Sequence, residues 1–140
     1  MEKPATMVVK SVELPLRAQE DVVVVRQNAR SLAVEIGLTI VDQTKIITAA
    51  SELARNTVIH GGGGKAILEI IRNGPKQGLR MVFEDTGPGI SDIERAMQDG
   101  YTTGSGLGLG LGGSRRLCSE FAIESKVGVG TRVVITRWKG

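Results

Sequence analysis

The sequence predicts an α+β fold: a two-layer α/β sandwich with a mixed, mainly antiparallel sheet and helices on one face. Three observations predict it. Segments with the two-residue alternation of strands and segments with the 3.6-residue period of helices come in runs, without the strict alternation of a βαβ protein. The turn-rich stretch NGPKQG, residues 73–78, separates two apolar runs as the loop of an antiparallel hairpin does. Finally, 140 residues with 41% hydrophobic side chains can bury one core, so a single domain over residues 1–140 is expected.

The elements follow in order. VVKSVELP, residues 8–15, alternates loosely and ends at a proline, as an edge strand does. EDVVVVRQNARSLAVEIG places Val22, Val25, Ala29, Leu32 and Ile36 on one helical face, with acids in its first turn and Gly37 as a stop. The four valines alone fit a strand, but the period of the whole segment is that of a helix. Thr39 and Asp42 resemble a capping box, opening a second helix over Ile40–Ile59 whose core face is Ile46, Ala50, Leu53 and Thr57. KAILEIIR and GLRMVFED then read as paired strands. Ser91 and Glu94 form a second capping-box pattern for a short helix that Gly100 ends. After a glycine-rich segment, residues 104–113, SRRLCSEF reads as a helix end and FAIESKVGVGTRVVITRW as a hairpin turning at Gly128–Gly130.

Composition narrows the function classes. Only 3% of residues are aromatic, which leaves no stripe for stacking bases, and the net charge of +3 is dispersed as a solvated surface carries it, so no nucleic-acid partner is expected. One histidine and one cysteine exclude the usual zinc clusters and make a Ser-His-Asp triad a poor reading. Cys118 has no partner for an internal disulfide, and neither a signal-like start nor an apolar run of spanning length occurs. A cytoplasmic protein without membrane contact is therefore expected.

Three constellations carry candidate chemistry, each with a plain structural alternative. Glu52, Asn56 and His60 stand four residues apart, on one stripe of the second helix. A carboxylate and an amide oxygen suit Mg2+, which takes one or two protein ligands beside substrate phosphates. Spacing alone fits an exposed polar face better. EDTGPGI, residues 84–90, follows an apolar strand; it is either a tight turn or a carboxylate, Asp85, that accepts from the exocyclic amine of adenine while Gly87 and Gly89 let a flat ring approach. TTGSGLGLGLGG, residues 102–113, is either a linker or a loop offering N–H groups to an anion, and its alternating leucines disfavour a linker. Gly108, Gly110 and Gly113 spell GxGxxG, but no apolar strand precedes them and no acid lies about 20 residues on, as a dinucleotide fold needs. Ala66 after Gly64-Lys65 rules out a P-loop.

Taken in order, these segments resemble the ATP-binding motifs of the GHKL superfamily, which includes gyrase, Hsp90, histidine kinases and MutL. ELARN resembles its N box, DTGPGI its first glycine box, GSGLGLGLGG the second with the ATP lid, and GVGT, residues 128–131, the last. The likeness covers nearly the whole chain, and SELARN, EDTGPGI, DGYTT and GLGLGLGGSRRLCSEF match the bacterial anti-sigma-type serine/threonine kinases of the RsbT group best. Ser119 departs from that group, which carries an acid before Glu-Phe.

The resemblance implies a Bergerat ATP-binding fold using ATP and Mg2+. It implies that Glu52 is the general base, that Asn56 ligates the metal, that Asp85 reads adenine and that Thr131 helps hold it. Gly87, Gly89, Ile90, Thr103, Gly104, Gly106, Leu107, Gly108, Leu109 and Gly110 would line the nucleotide. His60 is evenly balanced between a place near the ligand and a helix-end residue. By the same resemblance the chain is a partner-switching kinase. It would phosphorylate a serine of a STAS-domain antagonist, engage a stressosome-like scaffold and control a PP2C-type phosphatase. The alternatives are an RsbW-like kinase that holds a sigma factor, and a nucleotide-gated adaptor without significant kinase activity.

Overall fold

The computed structural model describes residues 6–98 and 110–140. The chain forms β1 (Met7–Leu16), α1 (Gln19–Glu35), α2 (Ile40–Ile59), β2 (Gly64–Asn73), β3 (Lys76–Asp85), α3 (Ile93–Ala96), α4 (Gly110–Arg116), β4 (Glu120–Lys126) and β5 (Gly130–Trp138). The strands make one sheet in the order β1-β2-β3-β5-β4. All four pairings are antiparallel, so the sheet has no parallel pair among the described residues where the sequence predicts a mixed one. The connections give the reason. A single helix between β1 and β2 would return the chain parallel, whereas the two antiparallel helices α1 and α2 reverse it once more.

Burial settles the valine run. Val22 and Val25 are 3% and 0% exposed while Val23 and Val24 are 44% and 42% exposed, a spacing of three that a strand cannot produce. The start of α1 has an alanine at the cap position, and Asp21 compensates by accepting from the Arg17 and Ala18 N–H groups at 2.7 and 3.1 Å. Its end turns through Gly37 at φ +79°. At the start of α2, Thr39 Oγ1 accepts from Asp42 N at 3.1 Å. The Asp42 carboxylate receives Arg137 Nη2 at 2.7 Å, which ties this helix end to β5. Ser91 and Glu94 do not cap α3. Asp92 does, accepting from Arg95 N at 3.0 Å, since an aspartate serves at a cap at least as well as a serine.

The core lies between the helices and one sheet face. Leu68 and Ile70 of β2, Leu79, Met81 and Phe83 of β3, and Val133 and Ile135 of β5 pack under Ala29 and Leu32 of α1 and Ile46, Ala50 and Leu53 of α2. The other face carries charges in cross-strand rows. Lys65 lies 3.4 Å from Glu13 and 3.9 Å from Glu84, Arg132 lies 3.1 Å from Glu84, and Arg80 lies 2.8 Å from Glu69. Each such pair is worth at most about 1 kcal/mol, but together they satisfy a face that no helix covers. No helix is long and apolar enough to cross a membrane among the described residues.

This topology brings one set of element ends together. Asp85 closes β3 and is paired with Gly64, the first residue of β2, and with Thr131 near the start of β5. Ser125, on β4 opposite Thr131, joins three segments. Its Oγ accepts from Ile90 N at 2.7 Å, shares a 2.7 Å hydrogen bond with Thr131 Oγ1 and reaches Gly130 O at 3.2 Å. A Ser125→Ala variant is expected to lose about 1–3 kcal/mol in chemical denaturation. Its Ile90 amide is expected to exchange faster with solvent, and an unchanged denaturation midpoint and exchange rate would show that this hydroxyl joins nothing.

Candidate functional site

α2 is buried further along its length than a surface helix needs. Glu52 lies within it, at 8% side-chain exposure, beside Leu53 and Ala54. A carboxylate so buried requires donors, because leaving it unpaired would cost several kcal/mol. It has two: Gly110 N, at the first residue of α4, donates to Oε1 at 3.1 Å, and Arg55 Nη1 lies 3.4 Å from Oε2. Glu52 thus pins the end of the glycine-rich segment to α2. Gly110 takes φ +73° at this point, a conformation that glycine adopts without steric cost.

One turn further along α2, Asn56 is half-buried, and its side-chain amide makes no hydrogen bond among the described residues. Its backbone oxygen accepts from His60 N at 2.8 Å and Gly61 N at 3.1 Å as the helix closes. His60 is the exposed C-cap residue of α2. It thus stands at the helix end, one residue before Gly61.

The end of α2 lies directly against the end of β3. A Cβ on Gly61 would sit 2.4 Å from Asp85 Cγ and Oδ2, and one on Gly87 would sit 2.5 Å from Gly61 O. Only bare backbone permits both approaches. Asp85 Oδ1 accepts from Gly87 N at 2.9 Å and from Thr131 N at 3.3 Å. These two amides fix the carboxylate and leave Oδ2 facing the Gly61 Cα. Glu52, Asn56, Asp85, Gly87, Ile90, Gly110 and Thr131 therefore belong to one end of the sandwich. Gly89, at φ +77°, closes the turn against Lys126 O, where a Cβ would fall 2.4 Å away. Thr103, Gly104, Gly106, Leu107, Gly108 and Leu109 lie outside the described residues.

Two participants escape the sequence reading. Gly61 is the first of four consecutive glycines, and nothing local shows which of them meets Asp85. Ser125 is visible only once the β4–β5 register is known. Other features stand apart from this cluster. A groove of about 610 Å³ beside β4, floored by Ile93, Met97, Phe121 and Ile123, holds none of its acids. Burial pushes the Cys118 thiol from about 9.0 up to about 12, with Arg137 opposing, and its Sγ donates to Ser114 O at 3.2 Å. It is a protonated, unreactive packing group at neutral pH. Ser119 Oγ accepts from Trp138 N at 3.1 Å and so closes the sheet edge.

The cluster offers a carboxylate acceptor at Asp85 and an amide at Asn56 that makes no hydrogen bond among the described residues. Among the described residues no three His, Cys, Asp or Glu side chains gather to hold a metal on their own.

Comparison with known proteins agrees with this arrangement. Residues 41–139 match the family model described as histidine kinase-, DNA gyrase B- and HSP90-like ATPase. The serine/threonine-protein kinase RsbT of Bacillus subtilis is 45% identical over 118 residues, 84% of this chain and 89% of that protein. An anti-sigma F factor of Thermoanaerobacter sp. is 34% identical over 79% of this chain and 80% of the relative. Among solved structures, the RsbU and RsbW domains of a Mycobacterium tuberculosis protein superpose with a TM-score of 0.62 at 20% identity, over 94% of this chain and 34% of that one. The SiaB–SiaC complex of Pseudomonas aeruginosa gives 0.51 at 11% identity, over 94% of this chain and 90% of that one, so both share the fold. A match over most of the chain, together with a 45% identical relative, shows that the chain belongs to the histidine kinase-, DNA gyrase B- and HSP90-like ATPase family.

Proposed function

We propose that this chain acts as one unit, an ATP-dependent serine/threonine protein kinase of the cytoplasm that works as a partner switch. Its substrate is a serine of a STAS-domain antagonist or scaffold protein, and its other partner is a PP2C-type phosphatase. The observation that carries the proposal is the contact of Gly61, at the end of the helix that bears Glu52 and Asn56, with Asp85 and Gly87. The similarity to RsbT over most of both chains supports the reaction type.

In this reading ATP is the phosphoryl donor and each residue has a defined task. Asp85 Oδ2 accepts from the adenine amine while Thr131 and Ile90, tied through Ser125, shape the base pocket. Asn56, whose amide makes no hydrogen bond among the described residues, is the residue that would hold Mg2+, whose charge would neutralise the phosphates. The serine oxygen attacks the γ-phosphorus, the bond to the β,γ-bridging oxygen breaks, and ADP leaves. The hydroxyl proton passes to Glu52. Only Oε1 of that carboxylate is committed to a buried donor, which leaves Oε2 to accept.

The second reading is an RsbW-like anti-sigma kinase, favoured by the anti-sigma F factor relative. Incubation with labelled ATP, Mg2+ and a STAS-domain protein from the same gene neighbourhood separates the cases. Label on a serine supports the kinase, a tight complex without label supports a nucleotide-gated adaptor, and capture of a sigma factor supports the second reading.

Three variants test the roles. Glu52→Gln keeps an acceptor for Gly110 N but loses basicity, and it should slow phosphoryl transfer by about 10²- to 10⁴-fold with ATP affinity retained; near-normal transfer would remove Glu52 from the chemistry. Asn56→Ala should weaken ATP binding in Mg2+ and leave binding in EDTA unaltered by calorimetry, and equal binding in both media would refute the metal role. Asp85→Asn preserves the shape and replaces the Oδ2 acceptor by a donor. Its preference for ATP over GTP should fall by roughly ten- to hundredfold, the worth of one charged hydrogen bond, and an unaltered ratio would place base recognition elsewhere.

A further inference from the structure

Arg55 is the residue whose position the reaction scheme leaves unexplained. It follows Glu52 by three residues on α2, its side chain is 38% exposed, and its guanidinium lies 3.4 Å from Glu52 Oε2. Arg26 of α1 is committed to Ser51, with Nε donating to Oγ at 3.1 Å. The Glu52 carboxylate is therefore held from two sides that differ in access. Gly110 N–H takes Oε1 in the buried interior, and Arg55 meets Oε2 on the side open to solvent.

The difference in access has a chemical meaning. A carboxylate oxygen has two lone pairs, so Oε2 can face Arg55 and still accept from a hydroxyl. A protein substrate must arrive from the open side, since Oε1 faces the start of α4. A freely turning carboxylate would hold an oxygen at the correct position only part of the time, and a misplacement of about 1 Å can cost on the order of a hundredfold in rate. Resting on the kinase reading above, we infer that Arg55 is a positioning residue that turns Glu52 Oε2 to the open side of the cleft, where the substrate hydroxyl arrives. Arg55 touches neither nucleotide nor metal in this scheme and acts through Glu52.

The test uses the full chain with Arg55→Met and Arg55→Lys, both residues of near-equal helix propensity to arginine, so α2 is retained. Arg55→Met is expected to lower kcat for transfer to the STAS-domain protein tenfold or more, with the Kd for Mg-ATP within twofold of wild type. Arg55→Lys should recover part of that loss, because it restores the charge without the planar fork. A second readout needs no phosphoryl transfer. In the nucleotide-free protein labelled with 13C at glutamate carboxyls, the Glu52 carboxyl resonance should move at one fixed pH in Arg55→Met, where the guanidinium 3.4 Å from Oε2 is missing. Wild-type kcat in Arg55→Met, an unmoved Glu52 resonance, or losses in kcat and ATP affinity that run in parallel in both variants would overturn the inference. Absence of transfer by the wild-type protein, with the resonance still moved by Arg55→Met, would overturn the kinase reading alone and leave the hold of Arg55 on Glu52 standing.

Discussion

The contact between the end of α2 and the end of β3 is the constraint on which the rest of this architecture depends. Gly61 has no side chain, so the helix terminus lies against the Asp85 carboxylate and the Gly87 backbone with nothing between them. A side chain there would push the helix off the sheet edge and carry Asn56 and Glu52 with it. The two-helix connection between β1 and β2 exists in service of this geometry. It delivers the C-terminal end of α2 to the same end of the sandwich as the C-terminal end of β3 and the N-terminal end of β5.

Much of this was legible in the amino-acid order, and the exceptions have physical causes. The strand and helix periods placed the five strands and the two long helices within a residue or two, whereas α4 occupies Gly110–Arg116, inside the glycine-rich segment, and Leu117–Phe121 of the expected helix end SRRLCSEF leave the helix for a turn and the start of β4. The three-residue spacing of burial in the valine run decides for a helix, as the period of its whole segment indicates. The sheet lacks the parallel pair of a mixed sheet because pairing direction is a property of connections, which residue patterns do not carry. The cap of α3 slipped by one residue because Ser91 and Asp92 are both good caps and local chemistry alone does not choose between them. The positions of the polar stripe and of Asp85 were visible as motifs. Their mutual contact was not, because it runs through Gly61, one of four identical neighbours, and through Ser125, whose partner Thr131 lies across a strand pair.

The two sides of the sheet differ in kind. One is packed with aliphatic side chains under the helices, with a single phenylalanine, Phe83, among its largest buried members. The other is a lattice of opposed charges that needs no cover, since Glu13, Lys65, Glu84 and Arg132 satisfy one another across four strands. The candidate site is therefore an edge property of the sandwich, built where strands and helices stop.

The position of β5 has a consequence for assembly. β4 precedes β5 in the chain but its sole strand neighbour among the described residues is β5, which lies inside it against β3. During synthesis β4 must wait for the strand that follows it, and the β3–β5 pairing that docks this hairpin joins residues as distant as Gly78 and Trp138, which is slow compared with helix formation. Thr131, at the beginning of that awaited strand, donates its N–H to Asp85. Sheet closure and completion of the contact between Thr131 and Asp85 are thus one event, and a nascent chain stalled before β5 would carry the helix pair and the first hairpin with the Asp85 carboxylate short of one of its two amide donors.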